Sequence, residues 1–169
     1  MAFRLVDLHQ RTQFFAKAPS SQSKNLIVPD QYQSIEAACS AAKPGDIIQI
    51  YPGKYEEKVT IPDQIHIEGK GVASMIRIDQ LSVNGTGIIQ NVAINKCIFN
   101  QASSRQASYL CVDHLDTEEK SMLSLENSSI TSFQGKGDGF LDNNEFEGQS
   151  EISGKWIAEK CSFIDCVKN

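Results

Sequence analysis

The chain has 169 residues, 16 basic and 21 acidic side chains and a net charge of −5. That length fits a single domain and suffices to bury a real core. The acidic balance argues against nucleic acid or an anionic membrane held by bulk charge, and no apolar run approaches the roughly 18 residues of a membrane span.

The first segment, residues 1–25, lacks the apolar stretch of a secretory signal. The protein is therefore expected to be soluble: cytosolic, exported by another route, or already trimmed of its signal. Leu5, Leu8 and Phe15 fall on one stripe of a short amphipathic helix, and "APSSQSKN" reads as a Ser-rich linker. Residues 1–25 are thus an extension, and 26–169 the domain proper. In "DQYQSIEAACSAAKPGD", Ile35, Ala38, Cys39 and Ala42 recur at helical spacing until Pro44 and Gly45 stop the helix. The period then changes to two: Ile48 and Ile50, Val59 and Ile61, and Ile65 and Ile67 alternate with polar residues between Pro-Gly and Pro-Asp turns, which predicts short strands. Alternation sets His66 opposite Ile65 and Ile67, on an outer surface.

Beyond Ile65 no ten-residue helix is apparent, and a repeat emerges. "VAINKCIFN" (92–100), "LSLENSSIT" (123–131), "GFLDNNEFE" (139–147) and "WIAEKCSFI" (156–164) share an apolar pair spaced by two, a polar turn and a further apolar residue. Asn127, Asn143 and Cys161 fall in or near those turns. Such a unit buries its apolar side only by stacking on its neighbours. The expected fold is all-β: a right-handed, single-stranded parallel β-helix with an N-terminal capping helix over 32–42. The spacing, about thirty residues and then sixteen and seventeen, predicts loops of unequal length. The helix would cover the first coil's open edge, leaving the C-terminal coil bare or covered by a partner.

"SIEAACSAAKPGDIIQIYPGKYEEKVTI" followed by "IEGKG" resembles the opening of the pectin-lyase-like β-helix superfamily. That likeness implies the fold and is silent on chemistry, because lyases, hydrolases, esterases and non-enzymes share the scaffold. Further on, "RQASYLCV", "LENSSITSFQG", "GFLDNNEFEGQSEISG" and "WIAEKCSF" resemble, in order, segments of the pectin methylesterases, over roughly residues 26–165. The resemblance implies oxyanion-stabilising roles for Gln106 and Gln134; an amide aimed at such an oxyanion is worth about 3 kcal/mol of barrier. It places the nucleophilic carboxylate at Glu151, in a stretch one residue short. It also puts Gly135 where the family has its acid/base aspartate, so the proton-transfer agent is missing. The family's arginine-bearing Leu-Gly-Arg-Pro-Trp segment has no counterpart. Asp138 or Asp142 would have to substitute for the lost aspartate, and a displacement of about 1 Å costs about 100-fold.

Other candidates are weaker. Asp113, His114 and Asp116 in "VDHLD" read as a solvated loop. Asp138, Asp142 and Glu145 lack a calcium-loop pattern, and "GKGDG" lacks the spacing and helix of a phosphate cradle. The five cysteines, Cys39, Cys97, Cys111, Cys161 and Cys166, match no zinc spacing and are expected to be reduced and buried. No metal or cofactor is expected. Tyr51, Tyr55, Tyr109 and Trp156 are the aromatics available to stack on sugar rings, with Trp156 and Asp142 the expected binding pair. Three functional classes follow. The first is a pectinesterase-like module that has lost catalysis and binds a polysaccharide or a protein. The second is an active carbohydrate esterase in which Gln106, Gln134, Glu151 and Asp138 or Asp142 converge. The third is a structural β-helix that dimerises through its C-terminal coil.

Overall fold

The computed structural model describes residues 22–101 and 103–164; the amphipathic stripe at Leu5, Leu8 and Phe15, and Cys166, lie outside them. The described chain is a parallel β-helix of about eight coils with one short helix. One sheet stacks β1 (Asn25–Val28), β2 (Ile47–Ile50), β4 (His66–Gly69), β6 (Thr86–Gln90), β8 (Ser104–Ser108), β10 (Met122–Glu126), β12 (Asp138–Asp142) and β15 (Trp156–Glu159). The other stacks β3 (Gly53–Ile61), β5 (Ile76–Val83), β7 (Ala93–Phe99), β9 (Cys111–Thr117), β11 (Ser129–Gly135), β13 (Glu145–Phe146) and β16 (Ser162–Phe163), with β14 (Ser150–Ile152) also on β11. All strand pairs are parallel, so each backbone bonds to the coils on either side at a rung of about 4.8 Å.

The second sheet is itself bent. In β7, β9 and β11 the alternation breaks at two consecutive outward residues, Asn95–Lys96, Asp113–His114 and Thr131–Ser132. The pairing skips one position at the same place, between Ile94↔Val112 and Lys96↔His114. Each coil therefore has three straight runs: the first sheet, a first arm and a second arm. In the seventh coil the bend opens fully, and β13 and β14 pair separately with the two halves of β11.

This bend corrects the irregular repeat. The thirty-residue interval contains a complete coil, β8–β9, whose "CVDHLDT" carries two adjacent outward polar residues and escapes a period-two reading. With it restored, Ala93, Cys111, Ser129, Glu145 and Ser162 are successive register partners. It also corrects the placement of Asp113, His114 and Asp116, which lie on strand β9 rather than in a loop.

The helix α1 (Ile35–Ala41) packs on β1, β2 and β3 and buries Ile35, Ala38 and Cys39. It stands in the first coil where later coils put a second-sheet strand. Ser34 Oγ accepts the N–H of Ala37, and Glu57 accepts those of Ile35 and Glu36 at 3.2 and 3.1 Å, so three free donors of the first turn are satisfied. Glu57 sits in the β-bulge between Tyr55 and Lys58. The bulge re-aims its carboxylate at the helix.

Inside, the rows are continuous. Leu26, Ile48, Ile67, Ile89, Ala107, Leu125 and Leu141 stack along the first sheet, all buried. A parallel row runs Gly87, Arg105, Leu123, Gly139, Trp156. A Cβ on Gly87 would meet the Arg105 guanidinium, and one on Gly139 the Trp156 ring. Small residues thus alternate with the two largest.

Two expectations about individual residues change. His66 is buried rather than on an outer surface: its Nδ1 accepts the N–H of Ile88 at 3.2 Å. Burial, and then the nearby Arg105 charge, holds the imidazole below its ordinary 6.5. Among the cysteines, Cys39 and Cys97 are buried and their thiols are pushed up to about 12 by burial first, but Cys111 is exposed and Cys161 half-buried.

Candidate functional site

The residues predicted for catalysis are distributed over different runs of the coil. Gln106 lies on β8 in the first sheet, in a shallow pocket of about 190 Å³ with Ile88, Gln90, Ser124 and Glu126. Gln134 is on the second arm, exposed, and pairs in register with Glu151 on one side and Asp116 on the other. Asp138 begins β12 around the next corner, where its Oδ1 accepts the Lys155 N–H at 2.8 Å. The fold therefore makes neighbours of Gln134 and Glu151, adds Asp116 to their row, and keeps Gln106 on another sheet.

Gly135 faces inward. It is buried, and a Cβ there would lie 2.8 Å from Phe133 Cζ and 3.0 Å from Trp156 Nε1. No side chain at this position reaches the face that carries Gln134. Trp156 is correspondingly a packed aromatic: half-buried against the core, with its ring 5.0 Å from that of Phe133 at 90°. Part of its ring is thereby taken up in packing against the core.

Asp142 stands on the outward face of the first sheet, flanked in register by Glu126 and Glu159. The Lys160 ammonium lies 3.7 Å from its Oδ1. Asp113 bonds Arg77 at 2.7 Å, and Asp116 lies 3.6 Å from Lys96. The charges of "VDHLD" are thus taken up by basic neighbours on the solvated face. Among the described residues no group of three His, Cys, Asp or Glu is placed to hold a metal, and no helix is long and apolar enough to cross a membrane.

A larger concavity lies elsewhere. Where the first sheet turns into the first arm, the fourth to eighth coils each pass through one residue in the left-handed region: Asn91, Tyr109, Asn127, Asn143 and Lys160, with φ between 50° and 59°. Beside this corner row run Cys111, Ser129, Glu145 and Ser162, and the two rows line a groove of about 700 Å³. Val72 and Ala73, from the longer turn of the third coil, stand at one end. The floor is rigidly held from beneath: Asn144 accepts the Ser128 N–H and donates to Leu125 O, and Ser128 Oγ accepts the Leu110 N–H. In the corner row, Asn143 donates to Asn127 Oδ1 at 2.7 Å. Asparagine tolerates the left-handed region through its short polar side chain; tyrosine does not. Tyr109 is nonetheless there, 59% exposed. Of the four aromatics, Tyr55 is buried with its hydroxyl on Tyr51 O, Tyr51 is exposed but outside this groove, and Tyr109 alone lines it.

Asn127 and Asn143 were visible in sequence as turn residues, but nothing local marks Tyr109 and Lys160 as members of the same row. Compared with known protein families, curated proteins and solved structures, the chain matches none.

Proposed function

We propose that this chain is a pectinesterase-like β-helix that does not hydrolyse esters and serves as a carbohydrate-binding module. The inward orientation of Gly135 carries the reading. The position that would supply the acid/base group points into the core, against Phe133 and Trp156, so the proton transfer of ester cleavage has no agent there. The separation of Gln106 from Gln134 supports it, because oxyanion donors act only when they converge on one atom. The row Asp116, Gln134 and Glu151 lies on an open face, where water screens charge and weakens electrostatic catalysis.

Incubation with methyl-esterified pectin and small acyl esters tests the loss of catalysis, and a panel of immobilised polysaccharides tests the binding. Binding without turnover is expected. Turnover that disappears in Glu151→Gln would establish the active-esterase reading instead.

A self-associating β-helix is favoured by one observation: Ile152, Phe163 and Ile164, all in the last two coils, are 43%, 40% and 47% exposed. Light scattering across a concentration series tests it; a monomer throughout counts against it.

A further inference from the structure

We propose that the corner groove binds an extended glycan chain lying along the solenoid axis, with the ring of Tyr109 as the stacking platform for one sugar. The proposal rests on the carbohydrate-binding reading and assigns its site.

The corner's backbone excludes the most common alternative. The N–H groups of Asn91, Tyr109, Asn127 and Asn143 donate to Ser108, Glu126, Asp142 and Glu159 carbonyls, one coil further on. Those of the parallel row at Cys111, Ser129, Glu145 and Ser162 donate to the preceding coil. The groove therefore offers no free strand edge on which a peptide could add by main-chain pairing. It presents side-chain amides, hydroxyls and one aromatic face, with the Glu145 carboxylate and the Lys160 ammonium among them. Amides, hydroxyls, charged groups and aromatic faces are the groups that recognise a polyhydroxylated ring through hydrogen bonds and stacking.

Its geometry matches a repeating ligand. The lining groups recur once per rung of about 4.8 Å, close to the advance of one sugar in an extended chain. Val72 and Ala73 wall off one end, while the groove runs past Tyr109 and Asn127 toward Lys160. Pinning of the floor by Ser128 and Asn144 means little side-chain ordering remains for the ligand to bring about.

Tyr109 supplies the evidence for function within the groove. A bulky side chain in the left-handed region is strained, and at 59% exposure this one is not retained to fill the core. Three of the other four members of the row, Asn91, Asn127 and Asn143, are asparagine, and the fourth is Lys160. Tyrosine at this position costs stability and presents an aromatic face to solvent inside the largest concavity described above.

The test uses the full chain with cello-, chito- and methyl-esterified galacturono-oligosaccharides on a binding array, followed by calorimetry. Tyr109→Asn is expected to weaken binding by about tenfold or more and at the same time to raise the melting temperature; Tyr109→Trp is expected to keep binding. The opposite movement of affinity and stability is what a merely structural tyrosine would not produce. Wild-type binding left intact by Tyr109→Asn would overturn the site and leave the carbohydrate-binding reading standing, to be located elsewhere. Absence of any oligosaccharide binding would overturn both. Capture of extended peptides in a Tyr109-dependent way, with no sugar bound, would overturn the glycan assignment.

Discussion

The indole of Trp156 lies across Gly135, so that a Cβ at residue 135 would come within 3.0 Å of its Nε1. The glycine has a negative φ; it is required for space rather than for backbone freedom. Gly135→Ala is therefore expected to cost about 1–3 kcal/mol by overpacking. Gly135→Asp should cost about 3 kcal/mol or more, because its carboxylate would enter filled space in the core with the lone Trp156 Nε1–H as the donor beside it, and should yield no esterase activity. Urea denaturation of both variants checks the order. In a Trp156→Ala background the Gly135→Ala cost should shrink without vanishing, since one of the two clashing rings is gone while Phe133 Cζ stays 2.8 Å from the added Cβ.

Arg105 makes a second prediction. It is 1% exposed and donates to the carbonyls of Ile65, Pro62 and Asn84, joining three coils with no carboxylate bonded to it. Burial lowers its pKa to about 10, opposed in part by the nearby Asp63. Removing a buried charge relieves a desolvation cost, but Arg105→Met strands three carbonyls, each worth about 1–3 kcal/mol when left unsatisfied inside. The second effect wins, and a net loss of about 3 kcal/mol is expected in chemical denaturation. Gly87→Ala, whose Cβ would meet Arg105 Nη1 and Ile65 O, should cost a similar amount. The double variant should lose clearly less than the sum.

How much of this was readable in advance depends on whether a residue's neighbours in space repeat along the chain. Pro44 and Gly45 after Ile35, Ala38 and Cys39 mark the helix, and Ile48, Ile50, Val59 and Ile61 mark strands, because both signals are local. The coil at 104–117 was hidden: the bend places Asp113 and His114 outward together, breaking the alternation that identifies a strand. For the same reason Asp116 was not set beside Gln134, although the row Asp116, Gln134 and Glu151 is regular in register. The likeness of the stretch around Gln134 to the family motif marks Gly135 as a missing acid/base group, but the side it faces depends on strand phase, which the motif does not carry. The groove was least legible, since it consists of corner residues that share only a backbone conformation.

The pH dependence of stability should be traceable to His66. Its folded-state pKa lies below the ordinary 6.5, through burial and then Arg105, so the unfolded chain takes up a proton more readily than the folded one. The stability that the neutral imidazole contributes is fully present above 6.5 and is lost as pH falls through the lower folded value. Melting temperatures are therefore expected to be level between about pH 7 and 8 and to decline on acidification below about 6.5. His66→Gln, which keeps an acceptor for the Ile88 N–H, should flatten that decline. A wild-type profile that rises toward pH 5 would contradict the assignment.

The outward row Glu126, Asp142, Glu159 places three carboxylates in register on consecutive coils. Like charges directly opposite one another in a sheet are destabilising by about 0.2–1 kcal/mol per pair, at a rung spacing near 4.8 Å. Lys160, 3.7 Å from Asp142, offsets part of this at the C-terminal side, which leaves the Glu126–Asp142 contact as the less compensated one. Glu126→Gln should therefore stabilise the fold, by a few tenths to about 1 kcal/mol, and Lys160→Gln should destabilise it by a similar amount. Both effects should fade as salt is raised to about 1 M, where the screening length falls to about 3 Å. If the Glu126→Gln gain persisted undiminished in high salt, its origin would lie in packing or hydrogen bonding rather than in charge repulsion, because only the electrostatic contribution is removed by the ions.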